Sequence, residues 1–515
     1  MQEFQITILN EDTVIKFAEE ELRKYGKFVN GSIRYSFVLG TYHDFNQRSL
    51  IESSLDRSED TFQVLKKDSE IYIIGANPRS VLFGVYHVCK KLFGYKWVSF
   101  LSKEELLEEN ETVTSNIHSG KMKRRGLVVE NYEDIDFLVQ LIDWAAKHYI
   151  NELFFTFMLW DKVKHIVADE IEKRGLAITL GGHSMHYLLQ EGSEFGKKQV
   201  DFSDDSWKDV AIRKIKDYCK EASSIRRVSL WPADVGVKDN HRFLSDYIEF
   251  TEQLKNQLPD LHVEHIAYNA GLSWGMLELP EELASSKSVD TLFAYWGRNY
   301  KQSFSKEERA FKALHEWRQA TKANKRELTV FEYYSDHFML GDLFPPLFQR
   351  IREDIQTFSQ LGIEQIVNLI VPYIPKQNAK QEDFDYPWES IQLMNGYFFA
   401  RLSWGDSFEE VEQDFYSIFG ESRVDVKRVL EKMELLLSEV SKWNVPLFPN
   451  RLIDPEKVEI SPDLDAIIDD IKSWKREIEQ ISSKPVTEIT DPSSMISFYI
   501  HFVAGKLDYY LSKWN

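Results

Sequence analysis

Glu327-Leu328-Thr329-Val330-Phe331-Glu332-Tyr333-Tyr334 reads as an apolar strand that ends on a carboxylate and runs straight into two aromatic residues. Val228-Ser229-Leu230-Trp231-Pro232-Ala233-Asp234, earlier in the chain, ends in the same way. Working outward from these two segments, strands at 126–130, 152–159, 177–181, 228–231, 263–268, 292–296, 328–332 and 366–371 alternate with stretches of helical spacing. After the fifth strand the helix is expected to be short or displaced, around 280–284. Eight strands in this alternation predict a closed (β/α)8 barrel, an α/β fold in which every strand C-terminus opens onto one face. No glycine-rich phosphate motif follows any strand, which counts against a dinucleotide-binding sheet.

The flanks of the barrel have a different character. Residues 1–120 predict an N-terminal α/β accessory domain, 121–404 the barrel, and 405–515 a helical domain. In the first of these, a strand at 5–9, a helix at 13–25 and a strand at 70–75 precede the turn Ala76-Asn77-Pro78-Arg79-Ser80 and a helix at 81–92. In the last, helices are expected at 408–419, 424–443, 464–481 and 495–514, with a loop at 482–492.

A chain of 515 residues with 43% hydrophobic residues has material for a large core and more than one domain. Its formal charge of −20 disfavours nucleic acid as a partner, because phosphates require a basic face. The two cysteines, Cys89 and Cys219, do not make a disulfide framework. The start Met1-Gln2-Glu3-Phe4-Gln5 has neither a basic n-region nor an apolar core, and no run of about 18 apolar residues occurs. A cytoplasmic location and no membrane partner are therefore expected.

The chemistry should lie where the strands end. Asp234 and Glu332, at the ends of the fourth and seventh strands, are the expected catalytic pair across the barrel mouth. Two carboxyl groups are what glycosidic cleavage requires, one protonated to assist the leaving group and one ionised. Burial beside Trp231, Tyr333 and Tyr334 would favour the protonated form of one of them. His183 and His186 follow Gly181-Gly182 and suit hydrogen bonds to sugar hydroxyls. Their spacing also admits a metal, for which the sequence supplies no third ligand in a known pattern. Asn269 can donate to and accept from a hydroxyl or amide. Trp274 and Trp296 offer stacking surfaces, and Arg298 either binds substrate or holds a carboxylate. Glu130, Asn131, Asp336 and His337 also sit at strand ends and are weaker candidates. Glu264 lies within a strand and reads as a paired structural group.

The segment Ile73-Ile74-Gly75-Ala76-Asn77-Pro78-Arg79-Ser80-Val81-Leu82-Phe83-Gly84-Val85-Tyr86 resembles the accessory domain that precedes the barrel in hexosaminidases and α-glucuronidases. Together with Trp231-Pro232-Ala233-Asp234, Tyr295-Trp296-Gly297-Arg298 and Phe331-Glu332-Tyr333-Tyr334, the chain is similar to bacterial glycoside hydrolases of family 163, endo-β-N-acetylglucosaminidases. The resemblance implies a retaining, cofactor-independent hydrolase of N-acetylhexosamine-containing oligosaccharides. It further implies substrate assistance, in which one carboxyl orients the 2-acetamido group and another serves as acid and then base. The adjacent Asp-Glu pair of the related family 20 enzymes is missing, because Val235 follows Asp234. Glu332 then supplies acid/base catalysis and Asp234 orients the acetamide, with the reverse assignment open. Three other readings remain: an α-glucuronidase-like or other exo-glycosidase, a glycan-binding barrel without catalysis, and a metal-dependent hydrolase using His183 and His186.

Overall fold

The computed structural model describes residues 4–27, 35–48, 60–98, 116–130, 132–189, 200–234, 241–269, 274–281, 285–300, 302–336, 345–371, 388–440, 469, 473 and 492–514. Strands β6 (Arg124–Val129), β7 (Glu152–Thr156), β8 (Ala177–Gly182), β9 (Ile225–Leu230), β10 (His262–Tyr268), β11 (Asp290–Ala294), β12 (Leu328–Asp336) and β13 (Gln365–Val371) form one closed parallel barrel. Helices separate most of them, as the alternation predicts. After β10 the described residues hold one 3-10 turn, Trp274–Met276, while the short helix expected around 280–284 lies mostly outside the described residues. Among the described residues, no helix is long and apolar enough to cross a membrane.

Two boundaries differ from the sequence reading for local reasons. The apolar run Phe157-Met158-Leu159 continues β7 on hydrophobicity alone. In the structure Thr156 ends the strand and caps a helix, Phe157–Glu172, by accepting from the Leu159 amide. β12 runs four residues past Glu332, because a register shift between Glu332 and Ser335 lets it keep pairing with β13.

Side chains alternate across each strand, so every second residue enters the barrel. The lowest interior layer is polar. Arg124 pairs with Glu152 at 2.6 Å and with Glu264 at 2.7 Å, and Arg227 lies 3.2 Å from both Glu264 and Asp290. Glu264 is therefore the paired structural group its position suggested. Above this layer Phe154, Ile266, Leu292 and Phe331 supply an apolar floor. Gly181 is required here, since a Cβ would lie 1.7 Å from the Ser229 carbonyl oxygen. Gly182 then turns the chain at φ +71°, carrying His183 to the mouth.

The N-terminal sheet has the order β1-β2-β4-β3-β5, with β1 at Ile6–Ile8, β2 at Ser36–Thr41, β3 at Phe62–Lys67, β4 at Glu70–Gly75 and β5 at Ile117–His118. Strands β2 and β3 were not expected from sequence. The Asn77-Pro78 turn is a helix start. Asn77 accepts from the Ser80 amide at 2.9 Å, and Pro78 opens the helix Pro78–Phe93. Gly84 lets this helix approach β4, where a Cβ would meet the Ile73 side chain at 2.6 Å.

The sheet docks on the end of the barrel opposite the strand C-termini. Asp60 bonds Arg79 at 2.8 Å, Arg125 at 2.6 Å and Asn151 at 2.6 Å, and Arg79 also reaches the Gly175 carbonyl at 3.0 Å. These barrel residues precede or begin their strands. Helices Trp388–Trp404, Phe408–Ser417, Arg423–Val440 and Pro492–Trp514 follow the barrel, and the second of them meets the accessory region through Lys91–Glu410 and Lys96–Asp414. The expected helix at 464–481 and loop at 482–492 lie almost wholly outside the described residues, as do the last residues of that expected at 424–443.

Candidate active site

A cavity of about 250 Å³ opens at the C-terminal mouth of the barrel. Its lining brings together three carboxyl groups, Glu130, Asp234 and Asp336, with Trp231, Tyr268, Trp296, Tyr333 and His183. Ile266, Phe331 and Leu369 form its apolar base.

Asp234 stands exposed at the rim and accepts the Tyr268 hydroxyl at 2.9 Å. Glu130 follows β6 directly. Burial pushes its carboxyl up, as does the Asp234 charge, while His183 opposes the shift. His183 donates Nδ1–H to the Pro232 carbonyl at 2.5 Å, which fixes the orientation of its ring. Its ring stands edge-on to Trp231 at 5.1 Å. Trp231 is itself fixed by the bond from Nε1 to Ser229 Oγ at 2.9 Å and by packing between Phe154 and Phe331.

Asp336 arrives by a different route. Phe331 and Tyr333 face inward on alternate positions, so continued alternation would bring in Ser335. The register shift adds one residue to β12 between Glu332, paired with Asn368, and Ser335, paired with Ile370. This bulge reverses the parity and directs Asp336 into the cavity, 3.4 Å from Trp296 Nε1. Ser335 turns outward, where its hydroxyl donates to the Gln392 carbonyl at 3.3 Å. The Gln392 amide in turn bonds the Ser335 and Val371 carbonyls.

Glu332 does not face Asp234 across the mouth, as the sequence led us to expect. It has the opposite parity to Tyr333 and points into the layer between barrel and helices, 1% exposed. There it accepts from Arg298 at 2.6 Å and from the Tyr300 hydroxyl at 2.9 Å. Arg298 also bonds Asp354 at 2.9 Å and 3.0 Å, so two carboxylates share one guanidinium. Burial above all, then the Asp354 charge, pushes the Glu332 carboxyl up to about 7 against the pull of Arg298. The Tyr300 oxygen accepts the Tyr333 amide at 3.2 Å, so this cluster holds the backbone beneath a cavity residue.

The remaining expected contacts also lie outside the lining. Tyr334 shares the parity of Glu332 and donates to Asp354 at 3.0 Å. Arg298 holds carboxylates, one of its two expected roles, and is fully buried. Asn269 clamps the Trp296 backbone through bonds of 2.7 Å and 2.8 Å. Trp274 lies under the Arg309 guanidinium at 4.1 Å. His186 sits on the short helix Met185–Leu189, outside the lining. No group of three or more potential metal ligands occurs among the described residues. Asn131 and His337 lie outside those residues. Tyr268 lines the wall beside Asp234 and is not among the expected site residues, although its inward parity with Ile266 is legible in the sequence.

Neither a protein-family profile nor a curated protein sequence matches this chain. Solved structures do. A GH138 enzyme targeting pectin rhamnogalacturonan II matches over 99% of this chain and 69% of its own, at 11% identity and a TM-score of 0.62. The structure of CpGH84B matches over 99% of this chain and 86% of its own, at 10% identity and a TM-score of 0.56. At such identities the likeness is one of fold: an accessory sheet, a (β/α)8 barrel and following helices.

Proposed function

We propose that the chain is a glycoside hydrolase that acts on N-acetylhexosamine-containing oligosaccharides at the mouth of the barrel. The observation that carries this reading is the meeting of three carboxyl groups with five aromatic residues in one small cavity on the face where barrels of this type keep their chemistry. The resemblance of the accessory-domain motif to hexosaminidases and the glycoside hydrolase folds of the neighbours support it further. Glu130, raised by burial, serves as the protonated acid. Asp234 serves as the second carboxyl, orienting an acetamide or stabilising the anomeric centre, and Asp336 binds hydroxyls beside Trp296. Glu332 becomes a positioning residue. Retention of configuration follows from the resemblance.

The α-glucuronidase-like alternative is less well supported. No Lys or Arg occurs among the described residues that line the cavity, so a uronate would meet carboxylates without a cation to offset them. An N-acetylhexosamine is neutral and avoids that repulsion. The test is hydrolysis of aryl N-acetyl-β-glucosaminides, aryl glucuronides and an N-glycan by wild type, Glu130→Gln and Asp234→Asn. Release from the first or third substrate by wild type alone supports the reading. Release only from glucuronides, or undiminished activity in both variants, overturns it.

A further inference from the structure

A second cavity, of about 260 Å³, lies at the opposite end of the barrel. It is formed where the last turns of helix Pro78–Phe93 meet Tyr149, the end of helix Trp388–Trp404 and helix Phe408–Ser417. Three chain regions, the accessory sheet, the barrel and the following helices, thus contribute to one wall.

Its charges are unevenly matched. Lys91 pairs with Glu410 at 2.8 Å, Lys96 pairs with Asp414 at 2.6 Å, and Arg401 pairs with Asp406. The three acids in the lining are thereby taken. Lys90 is left over. It is 7% exposed, its Nζ has no hydrogen-bond partner among the described residues, and it rests 4.3 Å from the centroid of the Tyr149 ring. Two histidines line the same cavity with ring centroids 4.1 Å apart, His87 and His118, and His118 Nε2 is likewise unpartnered among the described residues. Buried polar atoms of this kind are normally satisfied, and two of them around one space point to an acceptor that the described residues do not supply.

We propose that this cavity binds a small oxyanion, a carboxylate or phosphate group, between Lys90 and the His87–His118 pair. An anion at this place would supply the missing acceptors and balance the surplus cation. Burial pushes the Lys90 ammonium well down, and the Arg401 charge pushes it further, so a neighbouring negative charge would restore the protonated form. The three ligating side chains belong to the accessory region, and Tyr149 of the barrel and the following helices close the cavity around them, so binding is expected to steady the wall where these regions meet without entering the mouth.

The test uses the full chain. Sodium phosphate and sodium acetate are titrated separately at constant ionic strength, set with sodium chloride, and the melting temperature is followed. A saturable rise with phosphate alone identifies a phosphate group as the ligand, and a rise with acetate identifies a carboxylate. Lys90→Met should abolish the rise, and His118→Phe should weaken the apparent affinity at least tenfold. Lys90→Met removes a buried unpaired amine and keeps its volume, so folding is expected to survive. His118→Phe provides an independent check should it not. No saturable rise with either anion, an equal rise in chloride, or an unchanged response in a folded variant overturns the proposal.

Discussion

Glu332 and Tyr333 are consecutive residues on one strand and serve opposite faces of the barrel wall. Tyr333 lines the mouth cavity, while Glu332 lies behind it, 2.6 Å from Arg298. A carboxyl behind the wall can shape the site only through the backbone it supports.

Replacing Glu332 should accordingly affect stability before chemistry. Glu332→Gln replaces a carboxyl acceptor of Arg298, with Asp354 still in place, and should cost about 1–3 kcal/mol. On any substrate turned over by wild type, kcat should stay within about tenfold, well short of the ~10²–10⁴-fold expected on losing an acid or base. A urea titration beside the assay separates the two effects. A full catalytic loss with unchanged stability would return Glu332 to the acid/base role.

The same carboxyl makes stability depend on pH. Its folded value of about 7 lies above the ordinary glutamate value of 4.5, so between these limits the folded state binds the extra proton. Its contribution is complete below the unfolded value and is lost as pH rises through the folded one. Wild type should therefore lose stability between about pH 5 and about pH 8 relative to Glu332→Gln. Parallel denaturant curves for both proteins would sink the idea.

Within the cavity, Glu130→Gln and Asp234→Asn should each lower kcat by roughly 10²–10⁴-fold, with melting temperatures close to wild type. The raised Glu130 carboxyl sets the alkaline limb of the activity profile, since deprotonation removes the acid. In Glu130→Gln, residual activity should lose that limb. A limb that stays in place would assign it to another group.

Asp60 should matter only for stability. It accepts from Arg79, Arg125 and Asn151, and the two arginines bring its carboxyl down to about 2 despite burial. Asp60→Asn leaves both arginines short of a counter-charge and should cost about 3–5 kcal/mol. In wild type the contribution is present above the ordinary carboxyl value of 3.8 and fades as pH falls towards 2. Calorimetry of both proteins in mild acid checks this, and an equal acid sensitivity would contradict it.

The sequence makes the barrel legible because eight apolar runs at barrel spacing have few other solutions. It also yields much of the mouth: Asp234, Trp231, Trp296, Tyr333 and His183 follow from their strand-end positions and do line the cavity. Parity was the difficulty. Glu332 and Tyr334 stand on the same strand as Tyr333, and only its register decides which face they serve, while Arg298 lies in the turn beyond Ala294. The bulge that brings in Asp336 is a property of pairing between β12 and β13, and no single residue announces it. Asn269 has the chemistry of a ligand contact, but the Trp296 backbone takes both ends of its amide. Strands β2 and β3 escaped because their identity depends on the neighbours they pair with, which composition does not reveal.

The bulge in β12 gives the cavity an unusual relation to mutation. One residue more between Glu332 and Ser335, with the bulge unchanged, decides whether a serine rather than an aspartate reaches the mouth. A single-codon insertion ahead of Ser335, with the bulge kept, would exchange a charged group for a hydroxyl while leaving the encoded aspartate in place. Descendants of such a barrel can gain or lose a carboxyl at the site through a change in length, and alignments scored by residue identity would record nothing but a gap.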